Sequence, residues 1–349
     1  MHNKKRTEVS ELGEFELINR VTDNIKLSNQ SSVYGIGDDA AVLNYNEKQV
    51  LVTTDMLMEG VHFDLTYTPI KHLGYKSVIV NISDIFAMNG SPQQITISLA
   101  ISNKVSVEDI EEFYAGAILA CNKYNVDIVG GDTTSSLTGL AISITCIGQA
   151  DSKNIVYRNG AKPNDLICVS GNLGAAYMGL QLLKREKTVF LSTVKNQNEP
   201  FSPNFSGREY ILERQLKPEA RGDIITDLIK AKIKPTAMID ISDGLSSELL
   251  HICSQSGTGC NVYQEKIPIN FQTANMAEEL NMDVYTCALN GGEDYELLFT
   301  VPLSLHEKIE KINDVKIIGY ITKPEQGKIL ITQSGQEIQL KAQGWQANF

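Results

Sequence analysis

Apolar residues recur through the first 150 positions with alternating helical and strand periods. Spacing near 3.6 residues predicts helices over residues 13–26, 70–89 and 106–124. Alternating or continuous apolar runs predict strands over residues 50–54, 94–101, 126–130 and 140–148. The third helix opens with Ser106 and Asp109, a pattern close to a capping box, and Asp55 is expected to end the first strand.

A second block of alternating elements starts near residue 151. Helices are expected over residues 174–185, 219–231 and 243–256. Strands are expected over residues 236–240, 295–301, 315–321 and 328–333. The polar stretch 187–207, which contains Pro and Gly, is predicted to be a long loop, and its action as a lid is left open. The pattern therefore predicts two α/β or α+β domains, residues 1–150 and 151–349.

Charge narrows the classes of function. The 349 residues carry 31 Lys and Arg against 42 Asp and Glu, a formal net charge of −11. This acidity argues against nucleic acid and anionic membrane surfaces as partners, because both require a basic face. Residues 1–150 hold 18 acidic and 10 basic residues, net −8, whereas residues 151–349 hold 24 and 21, net −3. The uneven distribution indicates a cation site in the first half.

Cysteine usage and hydropathy bear on the compartment. The six cysteines show neither C-x2-C spacing nor a dense framework, which favours reduced thiols, mostly in the core, and a cytoplasmic protein. The N-terminus lacks the apolar segment of a signal peptide. Since no apolar run reaches about 18 residues, no membrane-spanning segment is expected.

Familiar nucleotide-binding motifs are missing from the sequence. It contains neither a Walker A loop nor the H-R-D and D-F-G pair of protein kinases. The stretch GIGDDA at 35–40 fits the dinucleotide pattern G-x-G-x-x-A, but Asp38 and Asp39 would direct two negative charges at a pyrophosphate. That interpretation is rejected, because the partial positive charge of a helix N-terminus does not offset two carboxylates.

Aspartates instead lie beside glycine, serine and threonine at expected strand ends and turns. Each of these alone is usually a turn or a helix cap. Converging carboxylates repel one another, and a cation relieves the repulsion. Oxygen ligands without histidine or cysteine favour Mg²⁺, which commonly bridges to substrate phosphates. The pattern therefore predicts Mg²⁺-dependent phosphoryl transfer.

Seven segments stand out in order along the chain: GIGDDAAVL, TTDMLMEGVHF, YKSVIVNISDIFAMNGSP, VGGDTT, YRNGAKPND, MIDISDGLSSEL and LNGGEDYELLFTVP. Together, in this order and with similar spacing, they resemble the thiamine-monophosphate kinase family, of the aminoimidazole ribonucleotide synthetase (PurM-like) superfamily. The resemblance runs from about residue 13 to the end. It implies a two-domain PurM-like fold, with an N-terminal α/β domain for dimerisation and ATP binding and a C-terminal α+β domain. It also implies a homodimer and transfer of the γ-phosphoryl group of ATP onto thiamine monophosphate, giving thiamine diphosphate.

The resemblance also implies roles for individual residues. The expected ligands of several Mg²⁺ ions are Asp39, Thr53, Thr54, Asp55, Asp84, Asp132, Asp240 and Asp243. Of these, Asp84, Asp132 and Asp243 are expected to act in catalysis through the metal. Expected ATP contacts are Tyr114, Gly131, Asp132, Arg158 and Ser242. Expected contacts with thiamine monophosphate are His62, Glu293 and Trp345. The division of roles between Asp38 and Asp39 and the number of ions stay open.

Several rivals are weighed against this interpretation. Aminoimidazole ribonucleotide synthetase is the best alternative, although the GGEDYELLF and SDGLSSEL stretches fit the kinase better. A selenophosphate synthetase would carry a reactive residue near its N-terminus, whereas the first cysteine here is Cys121. A hydrogenase maturation factor would carry a C-terminal cysteine, and this sequence ends GWQANF. A non-catalytic protein that binds Mg²⁺ and nucleotide is expected to have lost some of the acids.

Overall fold

The computed structural model describes residue 7 and residues 20–34, 42–46, 48–195 and 203–343. The chain divides into two compact units, one of Met1–Ile85 with Gly90–Lys153 and the other of Phe86–Asn89 with Asn154–Phe349. Both units combine helices with β-sheet, so the mixed α/β class predicted from the sequence is confirmed. No helix in the described ranges is both long enough and apolar enough to cross a membrane.

A four-stranded sheet forms the centre of the first unit. Its strands are β3 Gln49–Met58, β4 Ser91–Ile101, β5 Asp127–Ser135 and β6 Ala141–Ala150. Two short strands earlier in the chain, β1 Ser32–Tyr34 and β2 Val42–Leu43, pair with each other in a separate two-stranded sheet. The order is β3-β6-β4-β5; β4 and β5 are parallel and the other pairs antiparallel. Helix α2 (Val107–Tyr124) provides the crossover between the two parallel strands, as a parallel pair requires.

Helix α1 (Ile70–Ala87) and helix α2 approach each other through glycine. A Cβ on Gly74 would lie 1.9 Å from the carbonyl oxygen of Phe113, and one on Gly116 would lie 1.8 Å from that of Lys71. Only glycine fits at these two positions, and this explains why both helices contain a glycine although glycine has a low helix propensity. At the start of α2 the Ser106 hydroxyl and the Asp109 carboxylate form a complete capping box.

Strand β3 is longer than predicted. It pairs with β6 along its whole length, from Gln49 opposite Ala150 to Met58 opposite Ala141. The expectation that Asp55 ends this strand is wrong, because the continuous ladder with β6 outweighs the low strand propensity of aspartate. Asp55 therefore lies inside a strand, with its side chain half-buried.

A seven-stranded sheet forms the centre of the second unit, in the order β13-β12-β9-β11-β7-β10-β8. The strands are β7 Leu166–Ser170, β8 Ala237–Asp240, β9 Gly259–Tyr263, β10 Leu297–Val301, β11 Val315–Thr322, β12 Lys328–Ile331 and β13 Glu337–Gln339. All neighbours are antiparallel except β9 and β12. The helices are α3 Ala175–Lys195, α4 Glu209–Leu216, α5 Gly222–Lys230, α6 Leu245–Ser256, α7 Phe271–Glu279, α8 Val284–Asn290 and α9 His306–Ile309.

The second unit departs from the sequence prediction mainly around residue 190. Helix α3 continues to Lys195, so the predicted loop 187–207 is wrong over its first nine residues. That stretch contains no Gly or Pro, and the Thr188 hydroxyl donates to the Lys184 carbonyl one turn earlier, at 2.9 Å. Residues 196–202 lie outside the described ranges. The periodicity analysis also missed α4, α7, α8, β9 and β13.

Candidate functional site

Three of the expected metal ligands, Thr53, Asp55 and Asp84, lie close together in the first unit. Thr53 and Asp55 project from the same face of β3, since they are two residues apart. The Thr53 hydroxyl donates to Oδ2 of Asp84, on helix α1, at 2.5 Å. Burial, and then the charge of Asp84, raise the pKa of Asp55 to about 6. The two carboxylates are therefore close enough to repel each other, as the sequence predicts for a cation site.

Thr54 lies on the opposite face of β3 from Thr53 and Asp55, because successive side chains of a strand point to opposite faces. Its side chain is exposed, and its hydroxyl donates to the carbonyl oxygen of Ile144 on β6 at 3.1 Å. The Thr145 hydroxyl, also on β6, donates to the Thr54 hydroxyl at 3.2 Å. The Thr54 hydroxyl thus bonds across to β6 and does not point with Thr53 towards Asp84.

Asp132 lies on the far edge of the same sheet. It belongs to β5, and two strands, β6 and β4, separate β5 from β3. At about 4.8 Å per strand, Asp132 is about 14 Å from Asp55 along the sheet. Its neighbour, residue 131, has to be glycine, because a Cβ there would lie 2.0 Å from the Ile97 carbonyl oxygen. The first unit thus carries two separate acidic positions instead of one cluster.

Two expected ligand contacts in this unit have defined surroundings. Tyr114 on α2 is 8% exposed, and burial raises its pKa to about 12. His62 is half-buried in the turn after β3, where its Nδ1 accepts from the Met58 N–H at 3.0 Å. Since Nδ1 is an acceptor, the neutral ring carries its proton on Nε2.

The loop after β8 carries the acids of the second unit. Asp240, at the end of the strand, is 3% exposed, Ser242 is exposed and Asp243 is half-buried. Burial raises the pKa of Asp243, while the charges of His251 and Arg158 act in the opposite direction. The exposed Arg158 therefore lies within electrostatic range of Asp243, which agrees with its expected place near nucleotide phosphates.

A second loop, NGGED, packs backbone to backbone against the first. The Glu293 N–H donates to the Ser242 carbonyl at 2.7 Å. A Cβ on Gly292, whose φ is +73°, would lie 2.5 Å from the same carbonyl oxygen, so glycine is required there. The Glu293 side chain accepts from Nε2 of Gln215, on helix α4, at 3.0 Å. The expected nucleotide contact Ser242 and the expected substrate contact Glu293 are therefore neighbours.

The sequence analysis missed a buried ionic network directly after this loop. Glu296 is 2% exposed and pairs with Arg221 at 2.5 Å and with Arg214 at 2.9 Å. The Ser170 hydroxyl also donates to it at 2.5 Å. Asp294, fully buried, accepts from the Gly174 N–H at 2.7 Å at the start of α3. These contacts join residues more than 70 positions apart, and no local pattern signals them.

Glu248 is the other residue that sequence reasoning left without a role. It lies in the first turn of α6, is 1% exposed, and accepts from the Asp243 N–H at 2.9 Å. Burial, and also the charge of Asp243, raise its pKa to about 8. Its position inside the quoted SDGLSSEL segment is the one signal that was available.

Asp38, Asp39 and Trp345 lie outside the described residues, so their expected roles stay predictions. Within the described ranges, no group of three or more His, Cys, Asp or Glu side chains is arranged to hold a metal ion. Asp55 and Asp84 with the Thr53 hydroxyl nevertheless provide oxygen donors of the kind Mg²⁺ takes. This ion commonly binds one or two carboxylates and completes its shell with water and phosphate.

Comparisons with known proteins agree with the resemblance found in the sequence. The family model "AIR synthase related protein, N-terminal domain" matches residues 37–150. The thiamine-monophosphate kinase of Buchnera aphidicola subsp. Schizaphis graminum (strain Sg) is 37% identical over 342 residues, 96% of this chain and 98% of that protein.

Solved structures extend the likeness to the fold. A crystal structure of thiamine-monophosphate kinase from Stenotrophomonas maltophilia K279a has a TM-score of 0.76 and 31% identity, covering 94% of this chain and 98% of that one. A structure of AaThiL complexed with AMPPCP and TMP has a TM-score of 0.71 and 33% identity, covering 98% and 99%. The predicted PurM-like fold is confirmed, and this chain belongs to the thiamine-monophosphate kinase family.

Proposed function

We propose that this chain transfers the γ-phosphoryl group of ATP to thiamine monophosphate, forming thiamine diphosphate and ADP. The observation that carries the proposal is the 33% identity, over 98% of this chain, to AaThiL, a protein solved with AMPPCP and TMP. Two contacts among the described residues support it: Asp84 lies near enough to Asp55 to raise its pKa, and the Glu293 N–H donates to the Ser242 carbonyl. Both halves of the reaction thus have candidate residues.

The chemistry requires charge compensation more than proton transfer. The attacking group is a phosphate oxygen, which is already ionised near neutral pH, so no strong general base is needed. Two polyanions must instead be held together. When bound, Mg²⁺ would neutralise charge on the phosphoryl oxygens during transfer. Within the first unit, Asp55 and Asp84 with the Thr53 hydroxyl would hold such an ion. Within the second unit, Asp240 and Asp243 are the corresponding candidates.

The remaining residues bind and orient the two substrates. Arg158 would pair with nucleotide phosphates, and the backbone that precedes α6 at Ser242 would lie beside them. Glu293, oriented by Gln215, would complement the cationic thiazolium ring of thiamine. His62 would offer Nε2–H to the same substrate, since its Nδ1 is already engaged. Asp39, Tyr114, Asp132 and Trp345 keep the roles that the family resemblance implies.

We also propose that the chain forms a homodimer through the four-stranded sheet. Edge strand β3 exposes Val50, Val52 and Met56 by 47%, 66% and 59%. Three exposed apolar side chains along one face of an edge strand favour association. Light scattering should give twice the mass of the chain, and Val52→Glu should shift the particle to the monomer. A wild-type monomer at micromolar concentration would contradict this part of the proposal.

A cytoplasmic location is part of the same proposal. All six cysteines are buried free thiols, as predicted, which suits a reducing compartment. Fractionation of the native host should recover the chain with cytoplasmic markers, and recovery with periplasmic or membrane markers would contradict the location.

A substrate assay tests the proposed activity. Purified protein is incubated with ATP, Mg²⁺ and, separately, thiamine monophosphate, thiamine and formylglycinamidine ribonucleotide, and the products are resolved by chromatography. Thiamine diphosphate and ADP should form in equal amounts, and only from thiamine monophosphate. Unchanged thiamine monophosphate together with turnover of the ribonucleotide would overturn the proposal in favour of a synthetase.

A further inference from the structure

Glu248 makes contacts that set it apart from the other acids of the second unit. Its Oε1 accepts from the Asp243 N–H at 2.9 Å and from the Ser242 N–H at 3.3 Å. These are the residues expected to face metal and nucleotide. One buried carboxylate oxygen thus holds the backbone of both.

The start of helix α6 has no side-chain cap of its own. Helix α6 begins after Gly244, which has a φ of +118° and no side chain to accept a hydrogen bond. A Cβ on Gly244 would lie 2.7 Å from the carbonyl oxygen of Leu289, so a capping serine or aspartate does not fit. Glu248, in the first turn of the helix, instead accepts from the two amides that precede Gly244 and so ties the incoming loop to the helix.

The second carboxylate oxygen of Glu248, Oε2, does not take part in these hydrogen bonds. Oε2 is buried and has no hydrogen-bond partner among the described residues. A buried acceptor without a donor is costly, and the charges of Asp243 and Asp240 nearby add repulsion. The carboxylate is thus arranged for a donor or a positive charge that arrives with a ligand.

We propose that Glu248 is a positioning residue: Oε1 fixes the backbone of Ser242 and Asp243, and Oε2 accepts a hydrogen bond from water on a bound divalent cation. The inference rests on the proposed function for the identity of that cation. It adds a residue that holds the acidic loop in place before any ligand binds. Loss of such an outer contact commonly lowers metal affinity by about 10-fold or more.

Hydrogen exchange in metal-free, nucleotide-free protein tests the first half of the proposal. Glu248→Ala should speed exchange at the Ser242 and Asp243 amides by about 10-fold or more, because both lose their acceptor. Glu248→Gln keeps one acceptor oxygen and should leave these amides protected. Asp165→Ala is the matched control: Asp165 is 5% exposed and accepts from the Lys162 N–H and the Thr236 hydroxyl, both of which lie outside this loop.

Binding of Mn²⁺ alone, followed by electron paramagnetic resonance, tests the second half. Both Glu248→Gln and Glu248→Ala should weaken binding by about 10-fold or more, while Asp165→Ala should bind as the wild type does. Unchanged exchange in Glu248→Ala, or wild-type Mn²⁺ affinity in both Glu248 variants, would overturn the proposal. Because neither measurement uses thiamine monophosphate, a failed kinase assay on the wild type would count against the proposed function alone.

Discussion

Two sets of carboxylates in this chain differ in what neutralises them: a compensated set paired with arginines, and an uncompensated set without such partners among the described residues. Glu296 has two guanidinium groups within 2.9 Å, from Arg214 and Arg221, and both are largely buried with it. Asp55 and Glu248 form no salt bridge with any described residue, and burial raises the pKa of Asp55 to about 6 and that of Glu248 to about 8. An acid neutralised within the protein stabilises the fold, whereas one left without a cation is available to a ligand.

The largest effect is expected from a substitution that removes the carboxylate shared by the two buried arginines. Glu296→Gln leaves Arg214 and Arg221 buried without their shared charge, and it should lower the free energy of unfolding by about 3 kcal/mol or more. Urea denaturation followed by circular dichroism measures the change. Stability within error of the wild type would mean that Arg221 is satisfied by Asp223 and Asp314 alone, its other partners.

The matched isosteric change in the other set should affect activity and spare the fold. Asp55→Asn removes a proposed metal ligand, and it should lower kcat by about 100-fold because one oriented charge is lost. It also removes the repulsion from Asp84, so the metal-free melting temperature should stay level or rise. Kinase assays at saturating Mg²⁺ and a thermal melt test both parts; wild-type turnover, or a collapse of the fold, would contradict the comparison.

Sequence and structure agree at several places where a local pattern carries the information. Ser106 and Asp109 predicted a helix start, and the helix begins there. Apolar alternation predicted the paired strands, although it stopped at Asp55, where the ladder with β6 continues. The motifs also predicted Asp55 and Asp84 for one metal site, and the two carboxylates are close enough for Asp84 to raise the pKa of Asp55.

Long-range pairing is what the sequence could not supply. Arg214 and Glu296 are 82 residues apart, and no period or motif joins them before the chain folds. Thr53 and Thr54 are adjacent threonines that the motif does not distinguish. Because successive side chains of β3 point to opposite faces, the Thr53 hydroxyl donates to Asp84 and the Thr54 hydroxyl donates to the Ile144 carbonyl. Glu248 was overlooked because its partners are backbone amides, which have no signature in sequence.

A pH titration sharpens the comparison at Asp294, which is fully buried beside the Glu296 network but forms no salt bridge with a described residue. Burial raises the pKa of Asp294 from 3.8 to about 6, although the charge of Arg214 opposes the shift. The folded protein therefore holds this proton more tightly than the unfolded chain, and the stability it contributes is lost as the pH rises from about 4 to above 6. Asp294→Asn cannot lose a proton there.

The difference between Asp294→Asn and the wild type in free energy of unfolding should therefore move in favour of the variant between pH 4 and pH 7. Denaturation of both proteins across that range gives the difference directly. A constant difference would mean that Asp294 titrates in the folded protein as it does in the unfolded chain.

The smallest effect is expected where a compensated acid is exposed. Glu279 accepts from Arg185 at 2.6 Å and from Arg208 at 2.8 Å, but its side chain is 42% exposed. Water screens these pairs, so Glu279→Ala should change the free energy of unfolding by less than about 1 kcal/mol. A loss comparable to that of Glu296→Gln in the same denaturation experiment would show that burial is not what separates the two.

The dependence of product formation on a divalent cation tests the central claim most directly. Wild-type protein, stripped of metal with a chelator, is mixed with ATP and thiamine monophosphate, and Mg²⁺ is then added back. The acids without internal cations should leave the stripped protein inactive, and thiamine diphosphate should appear only as Mg²⁺ is restored. Thiamine diphosphate formed at an undiminished rate in excess chelator would contradict the account.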